Sequence, residues 1–336
     1  MKKLLAVALL ILTATAIQAK SWRINNDATK APDFTDINAA MASAEVVAGD
    51  TLYLDPGTNL SAAQTVSKEV VVVGVGHGGN RPYTRATISG KVTVTAPNAR
   101  LLGLYITGEV SINAQHVTLE RCRIENIIYS SGTSCQYATF RQCYVTKTLN
   151  DDSAIKGQGK ASNNSANWTI ENSVVDIYVG KCFTDFYQAT VQNNVLLTTK
   201  HWAYDEPALK SLGNSYIANN IIINRSVANK AIEDVSGTVT NNVLSQDYSS
   251  ETNHVTNSTS IGVVFTGAFQ SYALIENSPA AGYGTDGTDC GIFGGSYPYV
   301  ADGLPQGHPY YEKAVISSRA ENDKVNVSLK IKMQNE

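Results

Sequence analysis

Three features of this 336-residue chain predict an all-β solenoid, a right-handed parallel β-helix. A short strand-like pattern recurs, its apolar columns stay in phase from copy to copy, and a column of asparagines runs beside them. The copies read ARLLGLYI (99–106), VTLERCRI (117–124), ATFRQCYV (138–145), WTIENSVV (168–175), ATVQNNVL (189–196), SYIANNII (215–222) and GTVTNNVL (237–244), with starts 18, 21, 30, 21, 26 and 22 residues apart. Their third place holds Leu101, Leu119, Phe140, Ile170, Val191, Ile217 and Val239, and their eighth Ile106, Ile124, Val145, Val175, Leu196, Ile222 and Leu244. A unit of this size cannot bury its apolar side alone, so successive units must stack. Val, Ile, Thr and Tyr are abundant in the copies, and no helical period runs through them, which argues against helical and leucine-rich repeats. The sixth place turns from Leu104, Cys122, Cys143 and Ser173 to Asn194, Asn220 and Asn242. Asparagine tolerates the left-handed backbone of a sharp corner, and stacked amides can hydrogen-bond from turn to turn.

The elements follow in chain order. Residues 1–19 carry two lysines, an apolar run and a short polar exit, the pattern of a secretory signal peptide rather than a spanning helix. No cysteine follows the run, so no lipoprotein anchor is expected. Removing Lys2 and Lys3 with it takes the net charge from -3 to -5, which argues against nucleic acid as a partner. Export and no integral membrane segment after signal removal are the expectations. Phe34, Ile37, Ala40, Met41 and Ala44 fall on one helical face, with Asp33 as its cap, so a short capping helix should cover the apolar end of the solenoid. GDTLYLDPG supplies a first strand with Leu52 and Leu54 facing in, and KEVVVVGVG a second. GVGHGG (74–79) matches the spacing of a dinucleotide fingerprint, but Pro82 and no helical pattern follow, so it reads as a turn.

Past Asn242 the repeat decays. Residues 276–305 are dense in Gly and Pro and should form a loop-rich C-terminal cap. In the tail, Val325, Val327, Leu329, Ile331 and Met333 alternate with polar positions, and Lys324, Lys330 and Lys332 should guard the outer side of a closing strand. The expected organisation is a signal peptide over 1–19, a cap and first strand over 20–64, the β-helix over 65–275, cap loops over 276–310 and the tail over 311–336.

The opening RINNDATKAPDFTDINAAMASAEVVAGDTLYLDPGTNL and the close GTDGTDCGIFGGSYPYVADGLPQGHPYY, with the repeats between, resemble secreted bacterial β-helix proteins of the pectin-lyase-like superfamily. The likeness spans essentially the whole mature chain. It implies this fold, export and a carbohydrate partner, because the superfamily holds polysaccharide lyases, polygalacturonases, epimerases and phage tailspikes. Fold does not fix chemistry, so the residues must carry the functional argument.

Two turns are longer than the rest, at 150–167 and 200–213, and insertions in a repeat usually form loops on a binding face. Lys156 and Lys210 follow equivalent Ala-aliphatic pairs, so they should leave the same strand position, with Thr184 between them and Glu233 beyond. The sharp reading is β-elimination from a uronic acid, with one lysine as the base and the other steadying the enolate-like charge. Lys181 and His201 are alternates for these roles. Trp202 and Tyr204 could stack on sugar rings, and Asp151 with Asp152 could hold calcium, which resembling lyases use to grip the uronate. The plain readings are a solvated charged face, aromatics plugging a loop, and aspartates shaping a turn. NDDSAIK also resembles the paired-aspartate strand of polygalacturonases. The Gly-His-Gly here lies upstream, however, and Arg-Ile-Lys is absent, which makes a hydrolase the weakest reading. Five cysteines leave at least one unpaired within a monomer; Cys122 and Cys143 share a column, where a thiol ladder is favoured over a disulfide, and nothing suggests zinc. A lyase-like enzyme, a non-catalytic glycan-binding module and a structural or adhesive solenoid all stay open, each as an expected monomer.

Overall fold

The computed structural model describes residues 19–78, 85–146, 153–178, 180–198, 206–225, 230–246, 252–258, 260–266, 272–305, 307, 309–316, 324 and 327–333. It is a parallel β-helix. A 16-stranded and a 10-stranded sheet carry the solenoid, and both are built from parallel pairs. Each coil passes through three faces. The first face holds strands such as Thr118–Glu120, the second Arg123–Ile124 and the third Ile128–Ser130. The first and third faces merge into one sheet where Leu209–Ala218 runs through both.

The register is the one the columns predict. Leu101, Leu119, Phe140, Ile170, Val191, Ile217 and Val239 are successive ladder partners on the first face. Ile106 through Leu244 do the same on the second. All lie in one continuous apolar core. Parallel stacking begins upstream of the repeats, at Ser21–Ile24 against Thr51–Leu54, with Leu52 and Leu54 buried as expected.

The asparagine column is a ladder, but its members are not the left-handed residues. Asn194 donates its backbone N–H and Nδ2 to Asn220 Oδ1 at 2.9 and 3.0 Å, and Asn220 does the same to Asn242 Oδ1 at 3.0 and 2.9 Å. Asn253 continues the series beyond Asn242. The positive φ belongs one place earlier, to Gly103, Arg121, Gln142, Asn172, Asn193, Asn219 and Asn241. One residue takes the corner strain, and the next turns its amide into the core.

The capping helix is Ile37–Ala42, and Asp36 rather than Asp33 caps it, accepting the Ala39 N–H at 2.7 Å. Asp33 instead accepts the Arg23 N–H at 2.7 Å, ahead of the helix. Phe34 bridges Ile24 instead of joining the helix, and Ala44 is exposed. Ile37, Ala40 and Met41 are buried as expected.

The Gly-rich stretch is loop-rich, but what it covers is the flank of the solenoid. It runs back along the corner between the first and second faces, fastened by the left-handed residues. Asn241 Nδ2 donates to Tyr283 O at 2.9 Å, Asn219 Nδ2 to Thr285 Oγ1 at 3.1 Å, and Asn172 Nδ2 to Ile292 O and Gly294 O at 3.1 and 2.7 Å. Gln142 Nε2 donates to Pro298 O, and Arg121 Nη1 to Leu304 O at 2.7 Å. Val174, Val195, Ile221 and Val243 on the outside of the second face thereby gain a second core, with Val264, Phe265, Tyr272, Ile292 and Tyr299.

This strap also explains GVGHGG. His77 N–H donates to Asp302 O at 2.9 Å, and a Cβ on Gly78 would stand 2.6 Å from Ala301 O. The glycine admits the strap backbone, and among the described residues no helix follows the motif.

The tail does not close the solenoid. Val327–Met333 pairs antiparallel with Pro309–Ile316 in a separate two-stranded sheet. Val327, Leu329 and Ile331 are 56%, 49% and 56% exposed, because a two-stranded ribbon has no second layer of its own to bury them.

Candidate functional site

The third face is where the sequence places the candidate chemistry. Its outward column reads Thr93, Ser111, Tyr129, Lys156, Thr184, Lys210, Glu233, each residue the ladder partner of the next. Alternation buries Ile155, Phe183, Leu209 and Ile232 and turns the lysines outward. Lys156 and Lys210 thus stand on one face, two rungs or ~10 Å apart, with Thr184 between them.

Glu206 organises the cations. Its Oε2 lies 3.3 Å from Lys181 Nζ and 3.6 Å from Lys210 Nζ, and Glu233 Oε1 lies 3.9 Å from Lys210 on the far side. At the next corner Lys160 pairs with Asp234, which also accepts from Ser211 Oγ at 3.0 Å. These bonds, Lys160 first, hold the Asp234 carboxyl below its ordinary range. One coil away the Lys91 ammonium lies 5.3 Å from the Tyr129 ring centre; a hydrogen bond to the Tyr129 hydroxyl is the main cause raising its pKa.

Asp151, Asp152, His201, Trp202 and Tyr204 lie outside the described residues. The strands flanking them show where their segments attach. Tyr144–Val145 precedes one and Ile155–Lys156 follows it; Val195–Thr198 precedes the other and Leu209–Ala218 follows it. Both segments leave the second face and enter the third, one immediately before Lys156 and the other shortly before Lys210. Among the described residues no group of three or more His, Cys, Asp or Glu is placed to hold a metal ion.

The sequence pattern does not single out Glu206 or Tyr178. This ring is 57% exposed and lies between Val174–Ile177 and Phe183–Tyr187, close in sequence to Lys181. The available signal was an aromatic residue at a turn between an inward-facing strand and the charged face.

All five cysteines are buried and free. Cys122 Sγ donates to Leu101 O at 3.3 Å and Cys143 Sγ to Leu119 O at 3.5 Å, so the two stack as thiols. Burial pushes the Cys143 thiol well up and Cys290 up to about 12, which leaves neither as a reactive thiolate.

No protein-family model matches the chain, and no curated protein matches it in sequence. Among the described residues no helix is long and apolar enough to cross a membrane.

Proposed function

We propose that the chain is a secreted β-helix of the pectin-lyase-like kind whose third face binds an acidic polysaccharide. The observation that carries this reading is the column Lys156–Thr184–Lys210, which sets two lysines two coils apart on one face with Lys181 beside them. Two cations on one face ~10 Å apart along the axis, with a third beside them, suit a polymer with regularly placed carboxylates. Tyr178, and Trp202 and Tyr204 in the adjoining segment, would supply stacking surface. Asp151 and Asp152 would be the residues to recruit calcium to the uronate, if calcium takes part.

Binding is favoured over elimination by the surroundings of Lys210. Glu206 and Glu233 flank it at 3.6 and 3.9 Å, an ion-paired setting that suits a charge contact better than proton abstraction from a sugar carbon. The lyase reading keeps one observation in its favour, the two lysines sharing a face with only Thr184 between them. One experiment addresses both. The chain is incubated with polygalacturonate, alginate and a neutral glucan, and retention and new ultraviolet absorbance from an unsaturated product are read together. Retention on the acidic polymers alone, reduced in Lys156→Ala and Lys210→Ala, is the expected result. Absorbance that disappears in those variants would make the protein a lyase, and equal retention on the neutral glucan would remove the ionic reading.

A further inference from the structure

The strap leaves an open cleft of about 320 Å³ against the outer side of the first face. Leu102, Glu120 and Arg141, ladder partners in successive coils, line it on the solenoid side, and Tyr297 and Pro305 line it on the strap side. Ligand pockets start near ~300 Å³, so this volume suits one ring rather than a chain.

Three guanidinium groups enter this lining, from Arg100, Arg121 and Arg141, against the single carboxylate of Glu120. Glu120 lies 3.6 Å from Arg100 Nη2 and 3.8 Å from Arg121 Nε, too far for a hydrogen bond to either. Arg121 donates from Nε to Gln142 Oε1 at 2.8 Å and from Nη1 to Leu304 O at 2.7 Å. Arg141 donates from Nε to Glu171 Oε1 at 2.7 Å, its Nη2 lies 2.7 Å from the same oxygen, and its guanidinium stacks 3.6 Å from the centre of the Tyr297 ring. Each guanidinium carries five N–H donors, so these bonds leave donors over. Among the described residues Arg121 Nη2 and Arg141 Nη1 donate to nothing, and the Arg100 side chain, 47% exposed, makes no hydrogen bond at all. Burial lowers the Arg121 pKa, and Glu120 and Asp302, which raise it, do not offset that. An anion in the cleft would supply the missing counter-charge.

We propose that this cleft binds a small ring-bearing monocarboxylate. The free N–H groups of Arg100 and Arg121 take its carboxylate, because a guanidinium fork matches two carboxylate oxygens. Tyr297, 42% exposed, and Pro305 offer apolar surface to its ring, which inorganic phosphate would leave uncovered. The site lies on the first face and rests neither on the lysine column nor on the acidic-polysaccharide reading.

Benzoate and D-galacturonate are titrated into the full chain by calorimetry, with D-galactose as the arm without a carboxylate and inorganic phosphate as the arm without a ring. At least one of the two carboxylates should bind, and binding should weaken as salt rises. Benzoate alone would mark an aromatic acid as the ligand, and galacturonate alone a sugar acid. Arg100→Gln, at a side chain that holds no hydrogen bond, should keep its Tm and bind the carboxylate ~10-fold more weakly. Glu120→Gln removes the competing carboxylate and should bind it more tightly, a gain that damage to the fold would not produce. The Lys156→Ala, Lys210→Ala double variant should bind it as the parent chain does, which separates this site from the third face. Several results would each overturn the proposal: no carboxylate binding, phosphate or galactose bound as tightly as the carboxylates, equal affinity in Arg100→Gln, no gain in Glu120→Gln, or loss of binding in the lysine variant.

Discussion

Replacing Asn220 with alanine is expected to destabilise the fold by about 2–4 kcal/mol, since each buried polar group left unsatisfied costs about 1–3 kcal/mol. Asn220 is fully buried and makes bonds in three directions. Its Oδ1 takes both the backbone and side-chain N–H of Asn194, and its Nδ2 reaches Val191 O at 2.8 Å, Ala218 O at 2.9 Å and Asn242 Oδ1. Several partners keep another bond after truncation. Asn194 Nδ2 retains Ile170 O, Ala218 O retains the Asn193 N–H, and Asn242 Oδ1 retains the Asn220 N–H. The Asn194 backbone N–H loses its side-chain acceptor, which together with the cavity left by the amide sets the magnitude; Val191 O stays within the ladder between Thr190–Gln192 and Leu209–Ala218. Guanidinium unfolding with an unchanged m-value measures it. Thr238→Ala, on the exposed outer side of the first face, is the control and should stay within about 0.5 kcal/mol. Asn220→Ser should recover part of the loss, because Ser173 already fills the equivalent place, accepting the Cys143 N–H at 3.0 Å. Equal midpoints for Asn220→Ala and Thr238→Ala would mean that the asparagine ladder contributes nothing to stability.

Further outcomes are expected elsewhere. Ile170→Ala and Ile217→Ala should each cost about 2–5 kcal/mol through the cavities they leave; Lys324→Ala, at an exposed position, should cost little, and like shifts in Tm for all three would contradict the inward register. Asn172→Ala removes two anchors of the strap and should speed amide hydrogen exchange in 291–299 more than in the coils; uniform exchange would mean that the strap and solenoid open as one unit. Burial raises the Asp176 pKa more than Arg225 lowers it, so the folded state holds that proton more tightly than the unfolded chain does. Its stabilising contribution is full below the unfolded pKa of about 3.9 and is lost as pH rises through the raised folded value. Asp176→Asn should therefore melt higher than the parent at neutral pH and show no advantage at about pH 3; an advantage that grows on acidification would reverse the sign.

What the sequence made legible was whatever repeats with the coil. Inward columns such as Leu119–Phe140–Ile170 are forced by stacking, and so is the line Lys156–Thr184–Lys210–Glu233, because an in-phase residue on one rung must sit above its counterpart on the next. The paired asparagines 193–194, 219–220 and 241–242 concealed a division of labour. Both members tolerate a corner, and only the backbone reveals which turns inward and which reaches out to the strap. The strap had a signal in the fifth place of the repeat, where Arg121, Gln142, Asn172, Asn193, Asn219 and Asn241 all carry side-chain N–H donors. Those donors point to an acceptor running alongside, but nothing in a local pattern names residues 283–305 as that acceptor. The tail failed for a related reason: period-two alternation from Val327 to Ile331 identifies a strand without identifying its partner. The pairing of Glu206 with Lys181 and Lys210 crosses coils and depends on the entry angle of a loop, which periodicity does not encode.

Binding of an acidic polysaccharide on the third face is decided by the affinity of the parent chain and the Lys156→Ala, Lys210→Ala double variant for an immobilised polygalacturonate, measured across a salt series. The parent chain should bind, and its binding should weaken as salt rises. The double variant should bind at least ~10-fold more weakly at low salt while keeping its Tm, since each lost ionic contact of about 1.4 kcal/mol is tenfold in affinity. Equal affinity of the two proteins, or binding indifferent to salt, would contradict binding on the third face.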